Sequence, residues 1–186
     1  MPPLDRFNYF FALKPPVDLV PEIARHRDGA SALRPGKIVD DARLHVSVLG
    51  LGGFPEPQPG LVALAHAALS EQRLPACCCY FDRLVRGKNS MLLVGSRACD
   101  DLTVLQTALL DAYHVPAERR SATLSKAHVT LRYDEPEAPT QAIAPIVWHA
   151  EELALIESRI GQSRHEILGR WPLQQSFEEC FDWVSA

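Results

Sequence analysis

Two short segments, far apart in the chain, repeat one order of residue types: histidine, apolar, hydroxyl, apolar. They are His45–Val48 and His128–Leu131. Side chains of a β-strand alternate between its two faces, so each segment places an imidazole beside a hydroxyl group and its apolar residues opposite. If two such strands line a cleft, one imidazole removes a proton, the other supplies one, and the hydroxyl groups bind phosphate oxygens. The pattern predicts in-line attack at phosphorus, with both histidines catalytic and with Ser47 and Thr130 binding the phosphate.

A lone histidine in a strand more often packs or faces solvent than takes part in chemistry. This alternative applies to His45 and to His128, but two copies with the same apolar pattern favour the catalytic interpretation. The remaining histidines have no hydroxyl or carboxylate partner at a useful spacing. A serine nucleophile would need a Gly-x-Ser-x-Gly turn, and metal-dependent hydrolysis would need a His/Asp cluster; the sequence has neither. The sequence therefore predicts no metal site and no cofactor.

The same alternation extends the predicted site to three basic residues. Arg43 lies two positions before the first histidine, and Lys126 and Arg132 flank the second histidine motif on its histidine face. Cations at these places would offset the charge of a dianionic substrate. The alternative is that all three lie at solvated strand ends, or that a bulge breaks the alternation. Arg132 is the preferred candidate because it falls inside the predicted strand.

Length and charge limit the class of protein. The chain has 186 residues, of which 47% are hydrophobic, enough for one domain with a sizeable core. We expect a single two-lobed domain over residues 1–186, with an internal duplication. The net charge is -4 and the isoelectric point is near 6.0, whereas a general nucleic-acid binder shows a broad basic surface. Any nucleic-acid substrate should be a terminus, an oligonucleotide or a mononucleotide, not a long duplex.

Apolar runs and cysteines indicate the compartment. No apolar run approaches the roughly 20 residues of a membrane span, and the first residues lack the pattern of a secretory signal. We therefore expect a cytoplasmic monomer that does not bind membranes. Five cysteines, three of them adjacent at Cys77–Cys79, match neither a disulfide framework nor a spaced CxxC metal site. They are predicted to be reduced thiols that serve as small apolar residues in a strand.

Periodicity and turn residues predict an alternation of strands and helices. Strands are predicted at Phe7–Leu13, Arg43–Leu49, Pro75–Val85, Ser90–Val94, Ala127–Tyr133, Glu152–Glu157 and Glu166–Leu173. Helices are predicted after Asp18, after Pro59 with the apolar stripe Leu61, Leu64, Ala65, Ala68 and Leu69, and from Asp100 or Asp101 with the stripe Leu102, Leu105, Leu109 and Tyr113. Loops are predicted at Arg27–Gly36 and Asp134–Pro145, and Gly50–Gly53 only weakly resembles a phosphate-cradling turn. In this order each half of the chain supplies one histidine strand.

With these residues the chain resembles the two-histidine phosphoesterases, specifically the LigT-like RNA 2′,3′-cyclic phosphodiesterases, also called 2′-5′ RNA ligases. The similarity rests on the aromatic first strand with its proline pair, on Leu44–Gly50, and on Leu155–Arg159 followed by Trp171–Leu173. Two features depart from the family pattern. Ser47 stands where threonine is common, and Lys126-Ala127 precedes the second histidine where the family usually has a proline.

The resemblance implies an α+β fold of two pseudo-symmetric lobes, with antiparallel sheets lining a central cleft and helices packed outside. It also implies metal-independent opening of a ribose 2′,3′-cyclic phosphate to a 2′-phosphate, together with reverse 2′-5′ ligation. His45 would be the general acid to the leaving oxygen and His128 the base for water, although the sequence leaves the opposite assignment open. The implied partner is an RNA terminus, an oligonucleotide or a cyclic nucleotide.

Two other kinds of function stay open. The chain could cleave 2′-5′-linked oligonucleotides or a small cyclic-phosphate metabolite, or it could bind nucleotides or RNA ends without turnover. Base stacking needs an exposed aromatic side chain near the cleft. Phe54, Tyr133 and Trp148 are the candidates, and each of them could instead be a packing residue.

Overall fold

A computed structural model of the chain describes residues 6–29, 37–115, 126–133 and 140–175. Its strands are β1 (Phe7–Leu13), β2 (Lys37–Ile38), β3 (Val46–Phe54), β4 (Cys77–Arg86), β5 (Ser90–Val94), β6 (His128–Tyr133), β7 (Gln141–Ala150), β8 (Glu152–Arg159) and β9 (Arg164–Pro172). Its helices are α1 (Val20–Gly29), α2 (Pro59–Leu69), α3 (Asp100–Ala112) and a 3₁₀ turn at Asp41–Arg43. Among these described helices, none is both long and apolar enough to cross a bilayer.

The strands form a single antiparallel sheet, which divides into two halves between β6 and β3. Its order is β7-β4-β5-β6-β3-β1-β8-β9, and the short strand β2 pairs with β6. Each half therefore has four strands in this path, and the two histidine motifs lie at the inner edges, on β6 and at the start of β3. The halves meet where Val46 pairs with Val129. The α+β fold class is confirmed, and the motif strands are neighbours at the centre of the sheet.

Alternation along the strands separates the two faces of the sheet. The main core lies on the helix side, where Phe11 and Leu13 of β1 pack with apolar residues of all three helices. A smaller apolar cluster lies on the opposite face and contains Phe10, Ala12, Ala154 and Ile156. Phe10 and Ala12 of β1 lie on this face because side chains of a strand alternate. Residues that continue this two-residue spacing beyond Ala12 can therefore reach the histidine motifs from the same side.

The segments on either side of the first motif differ from the prediction. Helix α1 runs to Gly29, although a loop was expected from Arg27. A tertiary contact extends the helix. The buried Arg27 guanidinium donates hydrogen bonds to the carbonyl oxygen of Val39 and to Asp41, and these bonds fix the last turn of α1. Strand β3 begins at Val46 and continues through the glycine-rich segment to Phe54, because β1 pairs with it along that length.

Strand β7 occupies part of the predicted loop Asp134–Pro145. Residues 134–139 lie outside the described residues, but Gln141–Ala150 pairs with β4. β7 is the last strand at one edge of the sheet. Proline is tolerated there because an edge strand leaves some amide groups without a partner strand, so Pro145 does not end the strand.

The apolar stripes of α2 and α3 are partly as predicted. Ala65 and Leu69 of α2 are buried, but Leu64 is 56% exposed because only a narrow face of this helix meets the sheet. In α3 the predicted leucines are buried, namely Leu102, Leu105 and Leu109. Cys99 is the N-cap of α3, one residue before the expected Asp100 or Asp101.

Three of the cysteines come together in the fold. Cys77 and Cys79 are buried in β4, as expected of small apolar residues. However, Cys99 approaches them from the start of α3, and the three sulfur atoms lie within 4.8 Å of one another. The cysteines match no spaced CxxC metal site in the sequence, yet three of them lie together in the fold. The sequence spacing concealed this cluster because it joins alternate residues of a strand to a helix cap.

Candidate active site

The two histidine motifs come together where β3 and β6 run side by side. Continuing the antiparallel register of Val46 and Val129 by one residue in each direction sets each histidine opposite the hydroxyl residue of the other motif. The pairs are His45 with Thr130 and Ser47 with His128. These four side chains are half-buried, whereas the valines between them are fully buried. Diagonal positions in such a pair are about 7–8 Å apart, so both imidazoles can contact one phosphate from one face.

Both motif histidines make the same contact with the backbone. His45 Nδ1 lies 2.7 Å from the carbonyl oxygen of Arg43, and His128 Nδ1 lies 2.8 Å from the carbonyl oxygen of Lys126. A carbonyl oxygen only accepts, so Nδ1 carries the proton that is donated to it. In each neutral ring Nε2 is then the acceptor, and in the protonated ring Nε2 is the donor that can give up a proton.

A third histidine and an aromatic ring surround His45. Its ring centroid is 5.0 Å from that of Phe10 and 5.3 Å from that of His165. Burial and the charges of Lys14, His128 and Arg43 lower the pKa of His45 to about 4, although its hydrogen bond to the backbone acts in the opposite direction. His45 is therefore neutral at pH 7 in the protein without substrate.

Two cations, Lys14 and Arg43, lie near His45 and His165. Lys14 Nζ donates hydrogen bonds of 2.6 Å to the carbonyl oxygens of Ala42 and Leu44, which flank Arg43. Burial, then the charges of Arg170 and Arg43, lower the pKa of Lys14 to about 8. The Nε atom of Arg43 is buried and has no hydrogen-bond partner among the described residues. A buried guanidinium nitrogen without a partner is costly unless an anion binds it, so Arg43 Nε is suited to binding an anion.

Arg43 lies close enough to His45 for its charge to affect that ring, and Lys126 borders the same pocket as His128, but Arg132 lies elsewhere. β6 contains a bulge between Thr130 and Arg132, so that Arg132 pairs with Met91 of the main core. Arg132 is 2% exposed. A hydrogen bond from Arg27, with a smaller contribution from the charge of Arg132, lowers the pKa of Asp28 at the end of α1. The expectation that Arg132 shares the histidine face is wrong because the bulge reverses the alternation.

The predicted stacking residues lie in three different environments. Trp148 is fully buried against Phe81, so its selection as a base-stacking residue is wrong. The alternation of β7 turns its large ring towards the core. Phe54 lies at the far end of β3 and packs edge-on against Tyr9 at 5.9 Å. Tyr133 is 40% exposed at the end of β6 and keeps the surface that stacking requires.

A pocket of about 700 Å³ adjoins the second histidine. Lys126, Ala127 and His128 form one side. The other side is formed by Leu92, by residues 94–99, and by Thr103 and Gln106 of α3. Binding sites for small molecules commonly have volumes of about 300–1,000 Å³. The pocket is therefore large enough for a nucleoside group whose phosphate reaches His128.

Three residues of this site were missed in the sequence, namely Lys14, His165 and Arg170. The signal for Lys14 was present, because it follows Phe10 and Ala12 at the two-residue spacing of one strand face. His165 and Arg170 lie on β9, two strands beyond β1 in the sheet. Their approach depends on the path of the whole sheet, which no local pattern reveals.

Comparison with known proteins identifies the fold. No protein-family profile and no curated protein sequence matches the chain. E. coli LigT complexed with 3′-AMP matches with a TM-score of 0.72 and 22% identity, over 92% of this chain and 99% of that chain. E. coli LigT complexed with ATP matches with a TM-score of 0.70 and 23% identity, over 92% and 100% of the two chains. TT0787 of Thermus thermophilus matches with a TM-score of 0.69 and 18% identity, over 89% and 97%. The chain therefore has the LigT fold, as the sequence resemblance implied.

Proposed function

We propose that this protein hydrolyses a ribose 2′,3′-cyclic phosphate to a 2′-phosphate without a metal, and that His45 and His128 are its acid-base pair. The observation that carries the proposal is the shared geometry of the two imidazoles. Each has its Nδ1 atom bonded to the carbonyl oxygen two residues earlier, and both belong to strands that pair at the centre of the sheet. Such a pair can supply a base and an acid on opposite sides of one phosphorus atom.

The proposed reaction needs one proton to be removed and one to be supplied. The Nε2 atom of one histidine takes a proton from water as the water oxygen forms a bond to phosphorus. The bond from phosphorus to the ribose 3′ oxygen breaks, and the Nε2 atom of the other histidine protonates that oxygen. The products are a 2′-phosphate and a free 3′ hydroxyl group. Ligation would follow the same steps, with the 5′ hydroxyl group of a second RNA end attacking phosphorus in place of water. The ribose 3′ oxygen leaves and is protonated as before, and the product is a 2′-5′ phosphodiester.

The roles of the two histidines can be distinguished by pH. The lowered pKa of His45 favours the base role, because a base must be neutral before the reaction. The resemblance to the phosphoesterases implies the acid role for His45. If His45 is the base, kcat/KM should not decrease as the pH is lowered to about 5. If His45 must instead be protonated in the free enzyme, kcat/KM should decrease as the pH rises above about 4.

Phosphate binding is assigned to the groups around the histidines. Ser47 and Thr130 supply hydroxyl donors, and Arg43 supplies a buried guanidinium nitrogen that lacks a partner among the described side chains. The Lys14 hydrogen bonds fix the short segment that carries Arg43. Hydrogen bonds to an ionised phosphate oxygen contribute roughly 1.5–3 kcal/mol each. Lys126 borders the pocket beside His128 and is assigned to a neighbouring phosphate.

The substrate class follows from the pocket and the charge. The space beside His128 fits a nucleoside, Tyr133 is the remaining candidate for stacking a base, and LigT structures with 3′-AMP and ATP support nucleotide recognition by this fold. The net negative charge favours a short ligand over a long duplex. The smaller cyclic-phosphate metabolites and 2′-5′-linked oligonucleotides remain the second substrate candidates because the same site would open either ester.

Turnover of a substrate panel tests the proposal. The panel contains the four 2′,3′-cyclic mononucleotides, cyclic-phosphate-ended oligonucleotides and 2′-5′-linked dinucleotides, and phosphorus NMR locates the phosphate in the product. We expect cyclic phosphates to give 2′-phosphates, and His128→Ala to lose the activity. The matched control is His149→Ala, which changes an exposed strand histidine of β7. Binding of these ligands without any turnover would contradict the proposal and identify a binding module.

A further inference from the structure

Three cysteine sulfur atoms meet between β4 and α3, beside the pocket that contains His128. Cys77 Sγ lies 4.0 Å from Cys79 Sγ, which lies 3.8 Å from Cys99 Sγ. All three sulfur atoms lie within 4.8 Å of one another. Cys77 and Cys79 are two residues apart on one strand face, and Cys99 is supplied by the N-cap of α3. The cluster thus joins two elements that no turn connects.

These separations match those of metal-bound thiolates. A zinc-sulfur bond is about 2.3 Å long, so three sulfur atoms arranged trigonally around one ion are about 4.0 Å apart. The Cys77–Cys79 pair, at 4.0 Å, and the Cys79–Cys99 pair, at 3.8 Å, already have nearly this separation. Only small side-chain rotations would close the third pair around an ion. Three thiolates select soft ions, of which Cu⁺ and Zn²⁺ are the common ones in proteins.

We propose that Cys77, Cys79 and Cys99 bind one thiophilic metal ion, Cu⁺ or Zn²⁺, which holds the start of α3 against β4. This site is separate from the acid-base pair and has a structural role. Binding replaces the thiol protons: three thiols bind the ion, three metal-sulfur bonds form, and three protons are released to solvent.

Contacts of Cys99 with β4 hold the third sulfur atom in place. Cys99 Sγ donates a hydrogen bond of 3.3 Å to the carbonyl oxygen of Cys78, and it lies 3.8 Å from Cys79 Sγ. The three sulfur atoms are therefore brought together by the packing of α3 on β4 before an ion arrives.

An ion can reach the cluster through the pocket. Cys99 is half-buried and lines the 700 Å³ pocket, whereas Cys77 and Cys79 are buried behind it. Binding of an ion would also affect β3. Helix α3 is linked to this strand because Gln106 donates a hydrogen bond of 3.0 Å to the carbonyl oxygen of Val48. An ion that fixes the start of α3 would therefore stiffen one wall of the pocket and the support of the first histidine motif.

Serine substitutions separate a metal site from a set of packed thiols. Cys99→Ser keeps a good N-cap for α3 but removes the soft ligand. Cys79→Ser removes the central ligand. Cys78→Ser is the matched control, because Cys78 lies on the other face of β4 and its contact to Asp101 uses the backbone amide. Cys180 lies outside the described residues and is replaced by serine in every protein of the series.

The experiment adds Zn²⁺ or Cu⁺ to the reduced, metal-free full-length chain and measures bound metal, affinity and Tm, with Co²⁺ as a spectroscopic probe. We expect one ion per chain, a higher Tm, and a thiolate-to-cobalt charge-transfer band. Competition between the two ions identifies the one that the site prefers. Loss of a residue that only supports a metal ligand typically lowers metal affinity about 10- to 100-fold. Loss of a ligand itself should lower it more, so Cys99→Ser and Cys79→Ser should weaken binding at least about 100-fold. Cys78→Ser should retain the affinity. Equal binding by Cys99→Ser and the control, or a Cys79–Cys99 disulfide in a protein that retains no metal, would overturn the proposal.

Discussion

Val46 and Val129 pair across the centre of the sheet and join its two four-stranded halves. Each valine stands between the histidine and the hydroxyl residue of its own motif, and both are fully buried. Their pairing turns two distant sequence motifs into one surface with two imidazoles and two hydroxyl groups. The buried apolar faces of the motifs thus set the register on which the proposed chemistry depends.

The two hydroxyl residues should contribute less than the histidines. Ser47→Ala and Thr130→Ala each remove one hydrogen bond to an ionised phosphate, worth about 1.5–3 kcal/mol. We expect kcat/KM on a cyclic phosphate to fall about 10- to 150-fold in each variant. Ser47→Thr and Thr130→Ser keep the hydroxyl group and should retain most of the activity. Alanine variants as active as these controls would remove both residues from the site.

The contrast between Arg43 and Arg132 provides a second prediction. Arg43→Gln should lower kcat/KM about 10- to 150-fold, because its guanidinium group is proposed to bind the phosphate. Arg132→Gln should instead change the free energy of unfolding and leave KM unaltered, since Arg132 lies on the core side of the β6 bulge. Steady-state kinetics and urea unfolding of both variants separate the two effects. A raised KM in Arg132→Gln alone would reverse this assignment.

Acid should destabilise the protein through His45 and His165. Their pKa values of about 4 and about 3 lie below the ordinary value of about 6.5, mainly because partial burial disfavours the charged ring. As pH falls below about 6.5, the unfolded chain takes up protons that the folded chain does not, so the free energy of unfolding decreases. The decrease is roughly 1–3 kcal/mol for His45 by about pH 4, and it is smaller for His165 because solvent screens its partly exposed ring.

Urea unfolding at a series of pH values measures this effect. His165→Gln removes one of the two groups, so the midpoint of this variant should depend less on pH between about 6.5 and 4 than that of the unchanged chain. His149→Gln changes an exposed histidine and serves as the control. Identical pH dependence in His165→Gln and in the unchanged chain would contradict the assigned burial effect.

Chelation tests whether the chemistry needs a metal. Proton transfer between histidines and oxygen atoms requires no Lewis acid. We expect turnover of a cyclic phosphate to continue in EDTA at a temperature well below Tm, even where the chelator lowers Tm by emptying the proposed thiolate site. Activity that disappears in EDTA and returns with one divalent ion, while the protein stays folded, would reject the two-histidine scheme.

Local patterns of the sequence were sufficient to predict most strands and the central pair of motifs. Strict alternation between Val46, Val48, Val129 and Leu131 fixes which side chains are buried, and this explains why the histidines share a face. The prediction failed where a contact between distant elements decides the outcome. Arg27 extends α1 by reaching Val39 and Asp41, and the bulge in β6 turns Arg132 towards the core.

The same limit explains the residues that were missed. His165 approaches His45 only because β9 lies beyond β8 and β1 in one continuous sheet. The thiol cluster needs α3 to start beside β4, a packing relationship that cysteine spacing does not reveal. Periodicity predicts which face a side chain occupies, but the partner on that face depends on strand order.

A double-mutant cycle on His45 and His128 tests the central claim most directly. Rates of opening of a 2′,3′-cyclic nucleotide are measured for the unchanged chain, His45→Ala, His128→Ala and the double variant, with circular dichroism to verify folding. Each single change should lower kcat roughly 10²- to 10⁴-fold. The double variant should lose far less than the product of the two, because an acid and a base in one transition state act as a unit. Near-normal turnover by either folded single variant on every cyclic phosphate would contradict the acid-base pair and assign the site to binding.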